Sequence, residues 1–539
     1  MSKTPRQANQ QLRRARDHLS QDQLADLANR EIERATGRPG TLTAKSISDW
    51  ECGWYTWPAK PTRDALCVAL GVDDPAALGF HQRRSQPDAV TGATPQAVIL
   101  GCHEQDHPDS MKRRTFLLDG VATLSSSATA APSTAQAVAV AIGSDDHLGF
   151  ASAVAEQWPA TTLRRPIPDL GTDWQLSLPA GRSLDGAEVA IQVHADYNTA
   201  DNLATIQTEP RRLEQLTRPR HRALLVAADD RADADAYYAI DARAAVSQAE
   251  SRSQRQAVAI PRAYLLDDLT YGALWAVASL DDAMLSDDGL LDRHRRDLTH
   301  YEGLTGSAVG REEAPDLAAA SQLWLGSEFC ARHVLRNLDR LDTPPLFWTR
   351  EQRGEEASTW LLWRHKVTYL QRTSRLGTGI TRGFCVPEHL IDTSPRHERV
   401  LLLLTAALME AFGIRICVTP EPGYGDVEGF VLGGRAIVAN WVRTPGLWHV
   451  DTTAARNQLA QFYETAGEVR AHSIVDGPTP ARRLVALAAY LRIPWPWFRS
   501  RCSELGARGF DELTPARSRL LTVDGLNLAT RYAGHLTNA

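Results

Sequence analysis

Cys385, His449 and Asp451 have the residue types of a nucleophile system. A cysteine attacks as a thiolate when a histidine takes its proton and a carboxylate orients the imidazole, and the groups must lie within hydrogen-bond reach. Two further pairs have metal-ligand types. Cys330-x-x-His333 has helical spacing, so both side chains share a face, whereas Cys385-x-x-x-His389 crosses Pro387. Cys102-His103-x-x-x-His107 is a third cluster. None has Cys-x-x-Cys spacing, and a structural zinc site wants four ordered ligands. Asp267-Asp268, Asp281-Asp282 and Asp287-Asp288 are paired carboxylates, which can hold a cation or move protons. With Arg293, Arg295 and Arg296 nearby they read instead as caps and solvated faces of a helix. There is no P-loop, no dinucleotide-binding glycine loop after a strand and no Gly-x-Ser-x-Gly. The expectation is a chain without a catalytic centre, a metal or a cofactor.

Residues 43–53 offer another chemistry, hydrogen bonding to base edges and phosphates. Ile47 and Trp50 are spaced i, i+3 and face inward, and Gly53 stops the helix. Ala44, Lys45, Ser46, Ser48 and Asp49 are left on the outer side, with Thr43 at its head. Lysine donates to guanine O6 and N7 or to a phosphate, serine serves either, and alanine meets a thymine methyl. Upstream, Ser20 is placed to cap a helix bearing Leu24, Leu27 and Ala28. Gln21 then stands at a helix N-terminus, where an amide can donate to a phosphate.

These residues resemble a known family, the lambda-repressor-like or XRE-type DNA-binding domains. The resemblance rests on Leu12-Arg13-x-x-Arg16, Ser20-Gln21-x-x-Leu24-Ala25, Thr43-x-x-x-Ile47-Ser48-x-Trp50-Glu51-x-Gly53, and Pro61 leading into Leu66 and Leu70-Gly71. It covers about residues 9–80. It implies a five-helix helix-turn-helix domain, operator binding and dimeric action, with Ala44, Lys45, Ser46 and Asp49 reading bases and Gln21 contacting phosphate. One departure stands out: residues 29–41 make a longer connection than the family's short turn, so the second helix is expected to run on, with Gly37-Arg38-Pro39-Gly40 as the turn. The order Cys385, His449, Asp451 resembles that of transglutaminase-like enzymes, but here the cysteine precedes Val386-Pro387. An enzyme with a fused DNA-binding head is therefore the alternative reading.

The elements behind these residues follow from periodicity. Residues 1–84 read as an all-α DNA-binding domain. Residues 85–135, rich in Ser, Ala, Thr, Pro and Gly, read as a partly disordered linker. Within it Met111-Lys112-Arg113-Arg114-Thr115-Phe116-Leu117 resembles a twin-arginine export signal, which gives an exported product begun at Met111 as a further alternative. Residues 136–375 read as short strands, at 138–142 and 187–193, followed by a mainly helical region from 212. Residues 376–539 read as α+β: a helix at 400–412, an antiparallel meander turning at Gly433-Gly434, then helices at 481–491 and 515–521. The fold class expected is thus multidomain, with a larger mixed α+β region behind an all-α head. Trp441, Trp448 and Arg443 are candidates for an effector pocket, and Trp324, Phe347, Trp348, Trp360 and Trp363 are further aromatics able to line one.

Composition sets the limits. The 43% hydrophobic and 23% charged residues are those of an ordinary folded chain with a sizeable core. Residues 1–84 hold 13 Lys and Arg against 10 Asp and Glu, while the whole chain carries −6, so the remainder is about nine units negative. A basic head on an acidic body fits a DNA reader joined to something that does not touch DNA. Seven cysteines without regular spacing form no disulfide framework, which suits a cytoplasmic protein. The longest apolar run, 400–408, is half of what a bilayer requires, so no membrane is expected. The 54 Arg against 5 Lys, with abundant Ala, point to a GC-rich genome such as an actinobacterium's. The combined expectation is a cytoplasmic, homodimeric transcriptional regulator that binds double-stranded DNA and answers a small-molecule or protein effector.

Overall fold

The computed structural model describes residues 9–16, 19–36, 42–51, 60–72, 75–80, 145–164, 174–194, 197–200, 203–208, 210–217, 222–229, 236–251, 257–440 and 446–537. It divides into two compact units, Met1–Ser125 and Ser126–Ala539. The expected linker up to residue 135, the strand at 138–142, the twin-arginine-like segment and the Cys102/His103/His107 cluster lie outside the described residues.

In the first unit every described element is helical: α1 (Gln10–Arg16), α2 (Gln21–Thr36), α3 (Ala44–Glu51), α4 (Lys60–Leu70) and a 3-10 turn at Pro75–Leu78. Helical spacing of apolar residues closes one small core from Leu12, Leu24, Ala28, Ile47, Trp50, Leu66, Leu78 and Phe80. Trp50 meets Phe80 edge-to-face, ring centroids 6.2 Å apart. Ser20 Oγ accepts from the Gln23 amide at 3.0 Å, and Gln23 Oε1 accepts from the Ser20 amide at 2.8 Å. This reciprocal cap fixes where α2 begins.

The second unit is mixed α+β. It opens with α5 (Asp145–Gln157) and strands β1 (Thr162–Arg164), β2 (Trp174–Leu178), β3 (Ala187–His194), β4 (Tyr197–Ala200) and β5 (Leu203–Gln207). Next come α6 (Pro210–Thr217), β6 (Arg222–Asp229), β7 (Ala236–Asp241), α7 (Ala242–Ser251) and β8 (Ala257–Pro261). The order β1-β2-β3-β6-β7 makes a five-stranded sheet in which only β3 and β6 are parallel, and β4-β5-β8 is a small antiparallel sheet. The described residues between 212 and 261, expected to be mainly helical, thus hold three strands beside two helices. The run Leu224-Leu225-Val226 is buried on both faces of a central strand, and such runs carry no two-residue alternation to mark them.

Helices α8 (Asp268–Ser286), α9 (Asp288–Asp297) and α10 (Ala319–Asn337) follow, with β9 (Ser307–Gly310) between the last two. Then come β10 (Leu346–Thr349), α11 (Gly354–Leu362), α12 (Arg364–Thr373), β11 (Thr381–Cys385), α13 (Glu388–Thr393), α14 (Arg396–Ala411) and β12 (Arg415–Thr419). The chain ends in β13 (Phe430–Leu432), β14 (Ala436–Asn440), β15 (Gly446–Thr453), α15 (Arg456–Ala471), α16 (Pro480–Tyr490), α17 (Trp495–Arg508) and α18 (Asp524–His535). A seven-stranded sheet runs β12-β11-β10-β13-β14-β15-β9, parallel over its first three strands and antiparallel beyond. The meander expected at 430–450 is present, joined at Gly434 (φ 82°). It supplies three strands of a seven-stranded sheet whose strands at 307–310 and 346–349 come from before residue 375. The expected boundary at 375 consequently separates no bodies. The helical stretch 354–373 breaks at Trp363 into α11 and α12, and 515–521, expected as a helix, is not helical.

The aspartate pairs include a cap, as expected, but four of their six carboxylates are buried, and only Asp282 and Asp288 are half-exposed. Asp267, Asp268, Asp281 and Asp287 are all buried. Asp267 caps α8 and meets Arg501 at 2.6 Å, and Asp281 meets Arg222 at 2.8 Å while accepting from the amides of Arg517 and Ser518. They stitch α8 to distant segments.

Candidate nucleic-acid interface and other candidate sites

α3 begins at a cap of its own. Thr43 Oγ1 accepts from the Ser46 amide at 3.4 Å, and the two hydroxyls lie 3.3 Å apart. Ile47 is fully buried and Trp50 nearly so, whereas Thr43 is exposed and Ser46 and Ser48 are half-buried. Ala44, Lys45 and Asp49 fall within the same helix; their side chains lie outside what the structure describes.

The helix is held by Glu51 at its end. That carboxylate is 1% exposed, accepts from Arg16 Nε at 2.7 Å and Gln21 Nε2 at 2.9 Å, and has Arg13 Nε at 3.5 Å. Negative charge at a helix C-terminus is unfavourable by itself, and the two guanidinium groups offset it. Gln21, expected to face a phosphate, thus spends one amide hydrogen on tying the start of α2 to the end of α3. The long connection has its own clamp: Asn29 Nδ2 donates to the Leu42 carbonyl at 2.9 Å, and Asn29 Oδ1 accepts the Leu42 amide at 2.8 Å. This side chain copies a backbone pair and fixes where α3 starts. α2 does run on, to Thr36.

The nucleophile set is not assembled. Cys385 lies on β11 and His449 and Asp451 on β15, four strands away, roughly 19 Å at ~4.8 Å per strand. Cys385 is 1% exposed, its Sγ donates to the Glu421 carbonyl at 3.3 Å, and burial beside Glu421 and Asp426 pushes its thiol up to about 12. It stays protonated at neutral pH. His449 pairs with Glu428 at 3.0 Å, a contact that raises its pKa against the effect of burial. His333 Nε2 meets Thr452 Oγ1 at 3.2 Å, and no cluster of three metal-ligating side chains occurs among the described residues.

Of the aromatic candidates, Trp448 is core: it stacks on Phe329 at 4.0 Å and donates to Ser307. Trp441 and Arg443 lie outside the described residues. Trp348, Phe347 and Trp360 line a cavity of about 70 Å³ between the seven-stranded sheet and α10–α12. Lys366, Glu351, Tyr369 and Arg382 also line it, and sequence reading passed them over. One signal was available: Lys366 is one of five lysines in an arginine-rich chain and follows Trp360 and Trp363 closely. Nothing in the sequence marks Arg382, on a strand, as reaching the same space.

The chain was compared with protein-family models, with curated proteins and with solved structures, and it matches none of them. Among the described residues no helix is long and apolar enough to cross a membrane.

Proposed function

We propose that this protein is a sequence-specific DNA-binding transcriptional regulator of the lambda-repressor-like helix-turn-helix type. α3 is the groove helix, and the larger unit is a sensing or oligomerisation body. The observation that carries the reading is the two-sidedness of α3. Its Ile47 and Trp50 are locked into the core, its start is capped by Thr43, and Thr43, Ser46 and Ser48 remain at least partly exposed. A groove helix needs that combination of a buried side for orientation and short polar groups near its N-terminus for base edges. Thr43, Ala44, Lys45, Ser46, Ser48 and Asp49 are assigned to DNA contact. Gln21 is assigned to a phosphate through the amide hydrogen that Glu51 does not take. The partner is double-stranded DNA, approached by a homodimer with one head per half-site.

The experiment is selection of bound fragments from random DNA, followed by titration of the best site over a salt series. Affinity should fall linearly on a log-log plot as phosphate neutralisation releases counterions. Lys45→Ala and Ser46→Ala should shift site preference, with a loss of about 1–3 kcal/mol for a lost base contact, while Gln21→Ala should weaken all sites alike. A salt-independent affinity, or three variants that bind like the parent, would sink the assignment.

A further inference from the structure

Arg382 sits on β11, a central strand of the seven-stranded sheet, and is 1% exposed. Its guanidinium lies over the rings of Trp360 and Phe347, with its carbon 4.5 and 4.8 Å from their centroids. Its polar neighbour is the Tyr369 hydroxyl. Its Nε and Nη2 atoms have no hydrogen-bond partner. These two nitrogens form the side edge of the guanidinium, whose parallel N–H bonds match the two oxygens of a carboxylate.

The nearby charges do not satisfy it. Lys366 Nζ donates to Glu351 Oε1 at 3.0 Å and to Thr359 Oγ1 at 2.8 Å, and Trp360 Nε1 donates to the same Glu351 oxygen at 3.0 Å. Glu351 is therefore committed to Lys366 and Trp360. Arg350 also lines the cavity but is half-buried and lies near Glu428, so Arg382 is the buried cation left without a carboxylate of its own. A buried guanidinium with an open donor edge is costly unless something accepts from it.

We propose that this cavity binds a small monocarboxylate, whose two oxygens take the Nε–H and Nη2–H edge of Arg382. The stem of the ligand lies against the aromatic walls. One unmatched buried cation and one two-pronged edge call for a planar, singly charged group. About 70 Å³ admits a compact one. This site is independent of the DNA reading, since its occupancy is measured without DNA.

The test is titration of the full-length protein with sodium acetate at constant ionic strength, followed by tryptophan fluorescence, because Trp348 and Trp360 line the cavity. Acetate should give a saturable change that chloride does not, and acetamide, its uncharged isostere, should bind at least tenfold more weakly. Arg382→Lys keeps the charge and loses the edge; it should weaken acetate at least tenfold, and Arg382→Gln should abolish binding. Acetamide or inorganic phosphate binding as tightly as acetate, an acetate response no different from chloride, or an unchanged Arg382→Lys titration would overturn the assignment. Where neither variant folds, amide hydrogen exchange in the unmodified protein decides: acetate should slow exchange across residues 381–385, and an unchanged rate there overturns the proposal.

Discussion

His397 shows how burial alone sets a residue's chemistry. It is 6% exposed and packed edge-on against Tyr271 and Trp275, at 4.9 and 5.2 Å between centroids. Burial lowers its pKa from 6.5 to about 4. The folded form thus keeps a neutral ring while the unfolded chain takes up a proton below pH 6.5. Stability is full above that pH and is lost as pH falls toward 4, by up to about 3 kcal/mol. Urea melts of the parent and His397→Gln between pH 7 and 4 should show a shallower acid decline in the variant; parallel declines would refute this. Burial acts on Cys385 as well, and it turns the sequence's most reactive-looking thiol into a core side chain. Residue type was legible in the sequence, but reactivity depended on neighbours that only folding supplies.

Among the described elements, a very tight contact joins α11 to α14. A Cβ built on Gly354 would lie 1.7 Å from the backbone oxygen of Glu398, so the two helices touch where no side chain fits. Gly354→Ala should cost about 3 kcal/mol or more, because backbone cannot yield as a side chain can. Gly467, within α15 and exposed, has nothing within 4 Å of the same position. Gly467→Ala should therefore stabilise by up to about 1 kcal/mol through helix propensity. Thermal melts of the two variants should move in opposite directions, and a like-signed shift would contradict the packing argument. Helices with an apolar stripe, such as those starting at Gln21 and Ala44, could be read from spacing. Strands such as 222–229 could not, because a strand buried on both faces shows no alternation.

Across the large unit, ion pairs link segments far apart in the chain. Arg222, on β6, meets Asp241 on β7 at 3.0 Å, Asp281 on α8 at 2.8 Å and the Pro515 carbonyl at 2.7 Å. All three charged side chains are buried, so Arg222→Met leaves two carboxylates without their main partner. The expected loss is about 3 kcal/mol in urea unfolding, partly restored by adding Asp281→Asn. A single-variant loss under about 1 kcal/mol would show that the amides of Arg517 and Ser518 suffice to hold Asp281. The same cross-chain logic builds the cavity, which takes Lys366 from α12, Arg382 from β11 and Glu351 from the segment after β10.

The sequence by itself determined what local spacing can carry: the capped start of α2, the inward Ile47 and Trp50, the meander around Gly433-Gly434, and a mixed α+β organisation. Periodicity and caps act over a few residues, so they survive in one dimension. Tertiary structure alone decided that Glu51 gathers Arg13, Arg16 and Gln21, that Cys385 and His449 stand four strands apart, and that Asp267 and Asp281 are buried stitches. It also brought an open arginine edge into a cavity beside a lysine already paired. Those arrangements rest on strand order and burial, which join residues with no relation in sequence.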